Sequence, residues 1–377
     1  MKRVISLLMV LALCFALVSC GSADNSKTSG GETEKKENTE STDTTASKAL
    51  AGKKIGVSMP TRDLQRWVQD GDNMKSKLEE AGYEVELQYG GNKVAEQVSQ
   101  IENMIAQGCN ALVISAIEGE SLSDVLAKAK EANVRVIAYD RLIMNTDAVD
   151  YYATFDNRLV GTLQGQYIEE KLDLKNAKGP FNIELFTGDS ADNNVNFFFG
   201  GAMDVLQPYI DSGKLVVPSG QSKMEQCYTP GWATEDAQNR MEDIISKNYS
   251  GGETLHAVLS SNDSIAVGVA NALASTYTGD YPVLTGQDCD IAAMKNILAK
   301  KQSMSIFKDT RLLAEQVVTM IKALGDGSTV PVNDEKTYDN GTGIIPTFLC
   351  EPVFADIDNY KSLLIESGYY KEDELKS

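Results

Sequence analysis

Short β-rich runs alternate with helical patterns through most of this chain, and no other feature limits its possible folds as strongly. The runs begin at Lys53, Glu84, Ala111, Arg135, Phe181, Lys214, His256, Tyr281 and Met304. Between them, apolar residues recur at helical spacing, as in the stripe of Val94, Val98, Ile101 and Ile105. Such alternation is typical of βαβ units, in which neighbouring strands run parallel. The sequence therefore predicts an α/β fold with mostly parallel sheets.

One doubly wound sheet rarely takes up so many units, so we expect two doubly wound, parallel-sheet lobes. The first break is predicted near 151–157, where a short strand is followed at once by a helix. Returns are predicted near 306–310 and in the loop 328–341, and several crossings of this kind imply a hinge between the lobes. The expected lobes comprise residues 51–155 with 309–335, and residues 156–308 with 336–377. A cleft between two lobes is a natural place to enclose a small ligand.

The first residues of the chain are expected to direct export. Lys2 and Arg3 supply positive charge, and the apolar run 4–18 is too short to span a bilayer comfortably. We interpret residues 1–19 as a signal peptide. The sequence around Cys20 resembles a bacterial lipobox, which implies cleavage before Cys20 and a lipid on its thiol. An ordinary signal peptide with an incidental cysteine is the alternative.

Residues 20–50 are expected to form a disordered tether that carries the lipid at Cys20. From Gly21 to Leu50 the segment contains no Val, Ile, Met, Phe, Trp, Tyr or Pro. It cannot bury enough apolar surface to offset the entropy of ordering. The hypothesis is thus an extracytoplasmic body held at the cell membrane by its lipid alone.

Charge and residue counts exclude several classes of function. The chain has 54 acidic and 35 basic side chains and a net charge of -19, which disfavours nucleic acid as a partner. Its single histidine, His256, disfavours triad and zinc chemistry. No CxxC pair, nucleotide-binding motif or HExxH motif is present, so neither a metal nor a cofactor is predicted.

Four cysteines lie in the predicted body: Cys109, Cys227, Cys289 and Cys350. Export would permit up to two disulfides among them. The apolar runs beside Cys109 and Cys350 favour buried, unpaired side chains at those two positions. The sequence leaves the pairing open.

Polar residues follow several predicted strands at the edge where α/β sheets bind ligands. They are Asp140, Arg141, Asn262, Asp263, Gln287, Asp288 and Lys308, and the loop 189–194 adds Asp192 and Asn194. Each taken alone could be a helix cap or a turn residue. As a set they suit a ligand with several hydroxyl groups, and the only tryptophans, Trp67 and Trp232, could cover its apolar faces.

Nine segments in order resemble the xylose-binding and multiple-monosaccharide-binding receptors of sugar ABC importers. They are SQIENMIAQG, VIAYDRLI, YYATFDN, KGPFNIELFTG, DNN, YIDSGKLVV, SGQ, GQD and IFKDT. The likeness runs from Lys53 to the C-terminus, and AYDR, GQD and FKDT are its most specific parts. It implies a type I periplasmic-binding fold, two lobes on a three-strand hinge and no catalysis.

The resemblance also implies which residues contact the sugar. The matching positions are Arg66, Trp67, Asp140, Arg141, Asp192, Asn194, Trp232, Asn262, Asp288 and Lys308. Family members differ in the loops TRDLQRW and KMEQCYTPGW, which we expect to tune the preferred sugar. That sugar is an aldopentose or aldohexose such as xylose, arabinose, glucose or galactose. The implied partners are the membrane permease of an ABC importer and, as a further option, a chemoreceptor or sensor kinase.

Two other functions remain as alternatives. A sugar-responsive transcription regulator of the same fold would need a basic helix-turn-helix at its N-terminus, where this chain has a signal peptide and a tether. An exported carbohydrate-active enzyme would use two cleft carboxylates, for which Asp140, Asp192 and Asp288 are candidates.

Overall fold

The computed structural model of the protein describes residues 53–376. The predicted signal peptide and tether, including Cys20, lie outside this range. The strands are β1 Lys54–Met59, β2 Glu84–Tyr89, β3 Ala111–Ile114, β4 Arg135–Tyr139, β5 Tyr151–Phe155, β6 Phe181–Phe186, β7 Leu215–Val216, β8 Ala257–Ser260, β9 Val283–Leu284, β10 Met304–Phe307, β11 Thr347–Cys350 and β12 Val353–Asp356. The helices are α1 Gln65–Glu80, α2 Val94–Ala106, α3 Ser123–Glu131, α4 Asn157–Lys171, α5 Asn194–Asp211, α6 Thr234–Asn248, α7 Asp263–Thr276, α8 Ile291–Leu298 and α9 Thr310–Asp326.

The first lobe is a parallel sheet in the order β11-β5-β4-β3-β1-β2. Side chains alternate between the two faces of a strand, and both faces of this sheet are covered. On β3, Ala111 and Val113 belong to the core beneath α1 and α9, whereas Leu112 and Ile114 belong to the core beneath α2 and α3. Continuous apolar strands are therefore what this lobe requires, as its sequence provides.

The second lobe has a parallel sheet in the order β7-β6-β8-β9. A bridge between Gln287 and Ile306 joins it to the antiparallel pair of β10 and β12. Leu185 and Leu259 pack with α5 on one face, and Val258 packs with α6 and α7 on the other. The predicted α/β class with two doubly wound lobes is confirmed.

The chain crosses between the lobes after β5, after β10 and after β11, which confirms the three-strand hinge. The predicted boundary at 335/336 differs from the structure, because β11 pairs with β5 and keeps residues 347–350 in the first lobe. The segment before β11 also packs there: the Tyr338 ring lies 5.2 Å from that of Tyr152, and Asn340 Nδ2 donates to the carbonyl of Thr146 at 2.7 Å. The last return lies between residues 350 and 353.

Among residues 53–376, Cys109, Cys227, Cys289 and Cys350 form no disulfide with one another; the first three are buried and the last is half-buried. Within residues 53–376, no helix is long and apolar enough to cross a membrane.

Candidate functional site

A pocket between the two lobes brings together all ten residues that the sequence singled out. Its other lining residues are Leu64, Phe198, Gln287 and Asp290. The cavity is narrow, with a volume of about 30 Å³, so the two lobes lie close together around it. Contact with a ligand remains a prediction for each of these residues.

The fold explains why residues so distant in sequence meet here. Asp140 comes directly after β4, and Lys308 comes directly after β10. Asn262 follows β8, and Asp288 follows β9 after a short loop. The carboxyl ends of parallel strands meet at one edge of each sheet, and the two edges face each other across the cleft. The first turn of α1 adds Arg66 and Trp67 from above the first sheet.

Two of the aspartates have a backbone conformation that is uncommon outside glycine. Asp140 has a φ of 59° and Asp288 has a φ of 98°. Such conformations in residues other than glycine cluster at binding sites, where the surrounding structure holds them. Here both conformations place a carboxylate against the guanidinium of Arg66, Asp140 from the same lobe and Asp288 from the opposite lobe.

Arg66 is the electrostatic centre of the pocket. Its Nη2 lies 2.6 Å from Asp140 Oδ2, its Nη1 lies 2.8 Å from Asp288 Oδ1, and its Nε donates to Asp70. Lys308 Nζ lies 3.0 Å from the same oxygen of Asp288. The pair of Arg66 and Asp288 joins the lobes. Arg66 and Lys308 therefore offset carboxylates whose burial without partners would be costly.

The pKa values of the aspartates follow from this arrangement. Burial pushes the pKa of Asp140 upward, but the charges of Arg66, Lys308 and Arg141 outweigh burial and hold it below its usual range. Burial dominates at Asp70 and raises its pKa to about 6, even though Arg66 and the hydroxyl of Tyr139 favour the ionised form. Asp140 is therefore an acceptor at any physiological pH.

A second ion pair crosses the cleft. Arg141 Nε lies 2.8 Å from Asp192 Oδ2, and Arg141 Nη1 donates to the carbonyl of Ala116 at 3.1 Å. Burial raises the pKa of Asp192, and the charge of Arg141 opposes that shift. The two pairs together give the pocket both cationic donors and anionic acceptors, which is what a ligand with several hydroxyl groups needs.

Both tryptophans line the pocket and are about 95% buried. The guanidinium of Arg141 lies 5.0 Å from the centre of the Trp67 ring, which makes a cation–π contact. Trp232 lies in a short 3₁₀ turn before α6, and its indole packs on the backbone of Gly188. A Cβ at residue 188 would lie 2.0 Å from the Trp232 ring, so only glycine fits behind it.

Two of the predicted contact residues also have structural roles. The Asn262 side chain caps α7 by accepting from the backbone N–H of Ile265 at 3.1 Å. Asn194 Nδ2 donates to the carbonyl of Asp140 at 2.7 Å, and Asn194 Oδ1 accepts from the hydroxyl of Tyr152 at 3.1 Å. Asn194 therefore connects the second lobe to the end of β4 in the first.

The sequence also contained indications of the residues that were not predicted. Phe198 lies four residues after Asn194 on α5, and this spacing puts both on one helical face. Gln287 follows a predicted strand, but the family resemblance does not include it among the residues that contact the sugar. Asp290 and Leu64 had no recognisable pattern. Within residues 53–376, no three side chains of the metal-binding types are grouped as a metal ion would require.

Residues 55–329 match a family model described as a periplasmic binding protein domain. The chain is 50% identical over 326 residues to the multiple sugar-binding periplasmic receptor ChvE of Rhizobium radiobacter, a match that covers 85% of this chain and 92% of the relative. It is 35% identical over 322 residues to the D-xylose-binding periplasmic protein of Escherichia coli K12, with 85% and 92% covered.

Solved structures show the same likeness. A solute-binding protein of an ABC transporter from Clostridium phytofermentans, with bound β-D-glucose, superposes with a TM-score of 0.85 and is 65% identical. That match covers 86% of this chain and all of the other. A carbohydrate transporter solute-binding protein from Chloroflexus aurantiacus, in complex with D-glucose, has a TM-score of 0.77 and 33% identity, over 85% and 97% of the two chains.

Proposed function

The chain belongs to the periplasmic binding protein family, and from this premise we propose that it captures a monosaccharide by lobe closure and delivers it to the permease of an ABC importer. The pocket carries the proposal: donors, acceptors and two tryptophans from both lobes converge on one cleft. The glucose bound by the relative at 65% identity supports an aldohexose as ligand. Closure would exclude water and strengthen each polar contact.

Binding fits this chemistry better than hydrolysis. A glycosidase needs one protonated carboxyl as an acid and a second carboxylate. Asp140 and Asp288 are both engaged by Arg66, and Asp192 is engaged by Arg141. The charges around Asp140 hold its pKa low, which unsuits it as an acid. The incubation of the protein with glycosides followed by product analysis should show no turnover.

Calorimetry against D-xylose, L-arabinose, D-glucose, D-galactose, D-ribose and D-fructose tests the proposed function directly. We expect a Kd of about 1 μM or tighter for at least one of them, which corresponds to about -8 kcal/mol. No measurable heat for any of the six would overturn the proposal.

We further propose that the protein is exported and anchored by a lipid on Cys20, since the sequence before it has the features of a lipoprotein signal. Cells grown with radioactive fatty acid should label the protein, and Cys20→Ala should abolish the label. Label that survives this substitution would contradict the anchor and leave the sugar-binding proposal unaffected.

A further inference from the structure

Four polar atoms of the pocket-lining residues are buried without a hydrogen-bond partner in the part of the chain that the structure describes. They are Gln287 Oε1, Asp290 Oδ1, Trp232 Nε1 and Arg141 Nε, and of these Arg141 Nε is in an ion pair with Asp192 at 2.8 Å. Buried polar groups in native proteins almost always have partners, so each such atom calls for an explanation. The carboxylate of Asp288, which lies between Gln287 and Asp290 in sequence, already has Arg66 and Lys308.

Gln287 is held so that only its oxygen is free. Its Nε2 donates to the carbonyl of Ser261 at 3.0 Å, which fixes the amide plane. Its side chain is about 98% buried, so water in bulk does not reach the oxygen. The amide can therefore accept one further hydrogen bond from a group inside the pocket.

Asp290 occupies the N-cap position of α8, where an aspartate usually accepts from its own helix. Its side chain makes no such bond. The first backbone N–H of α8, on Ile291, donates instead to Gln65 Oε1 at 3.1 Å, and the N–H of Asp290 itself donates to Asp263 Oδ2 at 2.9 Å. The Asp290 carboxyl therefore does not cap α8, which is the role that its position would otherwise explain.

We propose that Gln287 and Asp290 form a hydroxyl-binding pair that holds one end of the bound sugar and discriminates among sugars by the hydroxyl groups presented there. This inference rests on the proposed function. The ligand class is a neutral polyhydroxylated molecule, because a hydroxyl group both donates and accepts. A sugar that lacks the matching hydroxyl leaves a buried oxygen unpaired, which is the strongest basis for rejecting a close analogue.

The electrostatics of Asp290 are consistent with this role. Burial and the charge of Asp288 raise the pKa of Asp290 to about 7, although Arg66 and Lys308 act in the opposite direction. The neighbouring carboxyl of Asp263 is also buried and has its pKa raised. Near neutral pH the Asp290 carboxyl can accept from a sugar hydroxyl when ionised and donate to one when protonated.

The test is calorimetry of D-glucose and its monodeoxy derivatives with wild type, Asp290→Ala, Asp290→Asn and Gln287→Leu. We expect Asp290→Ala and Gln287→Leu each to weaken glucose binding at least tenfold, and Asp290→Asn to recover most of the loss because it keeps a carbonyl oxygen. For one monodeoxy sugar, we expect wild type to bind it at least tenfold more weakly than glucose. The Asp290→Ala variant should bind that deoxy sugar and glucose with equal affinity.

Asp280→Ala, at an exposed position in the loop before β9, is the matched control and should bind as wild type does. The proposed pair would be overturned if Asp290→Ala bound glucose as tightly as wild type does, or if each deoxy sugar lost as much affinity for that variant as for wild type. In either case, binding of glucose by wild type would still support the proposed function. If wild type binds no sugar, both proposals fail. Thermal unfolding of each ligand-free variant shows whether it is folded. If Asp290→Ala is unstable, the affinity of Asp290→Asn for the deoxy sugars provides the test.

Discussion

At the scale of single residues, the pocket depends on a few cations that are paired with buried carboxylates. Arg66 contacts Asp70, Asp140 and Asp288, whereas Arg141 contacts Asp192. Removing one partner of a buried pair leaves an uncompensated charge, which typically costs about 3–5 kcal/mol. The closed state should therefore tolerate the loss of a cation far less than the open state, in which water reaches the cleft.

Arg141→Ala should weaken sugar binding by about 100-fold or more, because closure would then bury Asp192 without its partner. The melting temperature of the ligand-free protein should stay close to that of wild type. Calorimetry and thermal unfolding measure the two quantities. Arg135→Ala, which removes a half-exposed ion pair with Asp150, is the control and should bind normally. Wild-type affinity in Arg141→Ala would show that the site is misplaced.

Asp70 should make the ligand-free protein more stable in mild acid. Its pKa of about 6 in the folded state exceeds the unfolded value of about 3.9, so the folded state binds the proton more tightly. This contribution is complete below about pH 4 and is lost as pH rises through 6. The groups that face Asp70 are Arg66, Tyr139 and Asp140, with Tyr89 and Tyr369 nearby.

The measurement is urea unfolding of wild type and Asp70→Asn between pH 5 and pH 8 without sugar. Wild type should lose more free energy of unfolding than Asp70→Asn over this range, since the variant cannot take up the proton. Asp72→Asn, exposed on the same helix, should retain the wild-type slope. Equal slopes in wild type and Asp70→Asn would contradict the assignment.

At the scale of secondary-structure elements, the C-terminal segment holds α1 against the second lobe. The hydroxyl of Tyr370 accepts from Gln65 Nε2 at 2.7 Å and from Gln69 Nε2 at 2.9 Å. These glutamines flank Arg66 and Trp67 on one turn of α1. Tyr370 also packs with α8 in a second-lobe core. The segment therefore fixes the helical turn from which two pocket side chains project.

Tyr370→Phe should weaken sugar affinity about 3–10-fold through faster dissociation, because it removes two hydrogen bonds made between the lobes at about 1 kcal/mol each or less. Stopped-flow tryptophan fluorescence measures the dissociation rate. Tyr360→Phe is the control, since the hydroxyl of Tyr360 has no hydrogen bond within residues 53–376. An unchanged rate in Tyr370→Phe would show that the segment does not act on closure.

The sequence predicted best those helices and strands whose own residues have a clear apolar pattern. Buried strands such as β3 and β4 are continuous apolar runs over most of their length, and their positions agree with the structure. β11 and β12 were missed because their pairing with β5 and β10, rather than their own pattern, makes them strands. For the same reason the last crossing was placed too early.

The prediction of the site had a similar limit. Residues after strand ends could be identified because the topology of parallel sheets brings them to one edge. Asp290 could not, because its place in the pocket depends on Gln65 of the opposite lobe taking the first N–H of α8. Contacts between elements that are distant in sequence leave no local pattern.

At the scale of the whole molecule, three chain crossings leave the lobes free to rotate, and the ion pairs Arg66–Asp288 and Arg141–Asp192 hold them together. In the proposed closure, these charge pairs would stabilise the closed arrangement alongside the ligand. A ligand shifts such an equilibrium only through its greater affinity for the closed state.

X-ray scattering should show a smaller radius of gyration with saturating sugar, close to the value of about 20 Å for a compact body of this size. Asp288→Ala, which removes a cross-lobe partner of Arg66, should show no decrease at the same sugar concentration. Identical scattering of wild type with and without a sugar that binds would contradict the closure mechanism.

Gly188 places an evolutionary restriction on this chain that its pocket chemistry alone would not suggest. Residues that line the pocket can change one at a time, and the preferred sugar can drift with them. Any side chain at residue 188 would collide with the Trp232 indole. As long as the tryptophan is present, no substitution of Gly188 can therefore be neutral. A lineage that abandons glycine there must replace the tryptophan too, and the two changes should be inherited together.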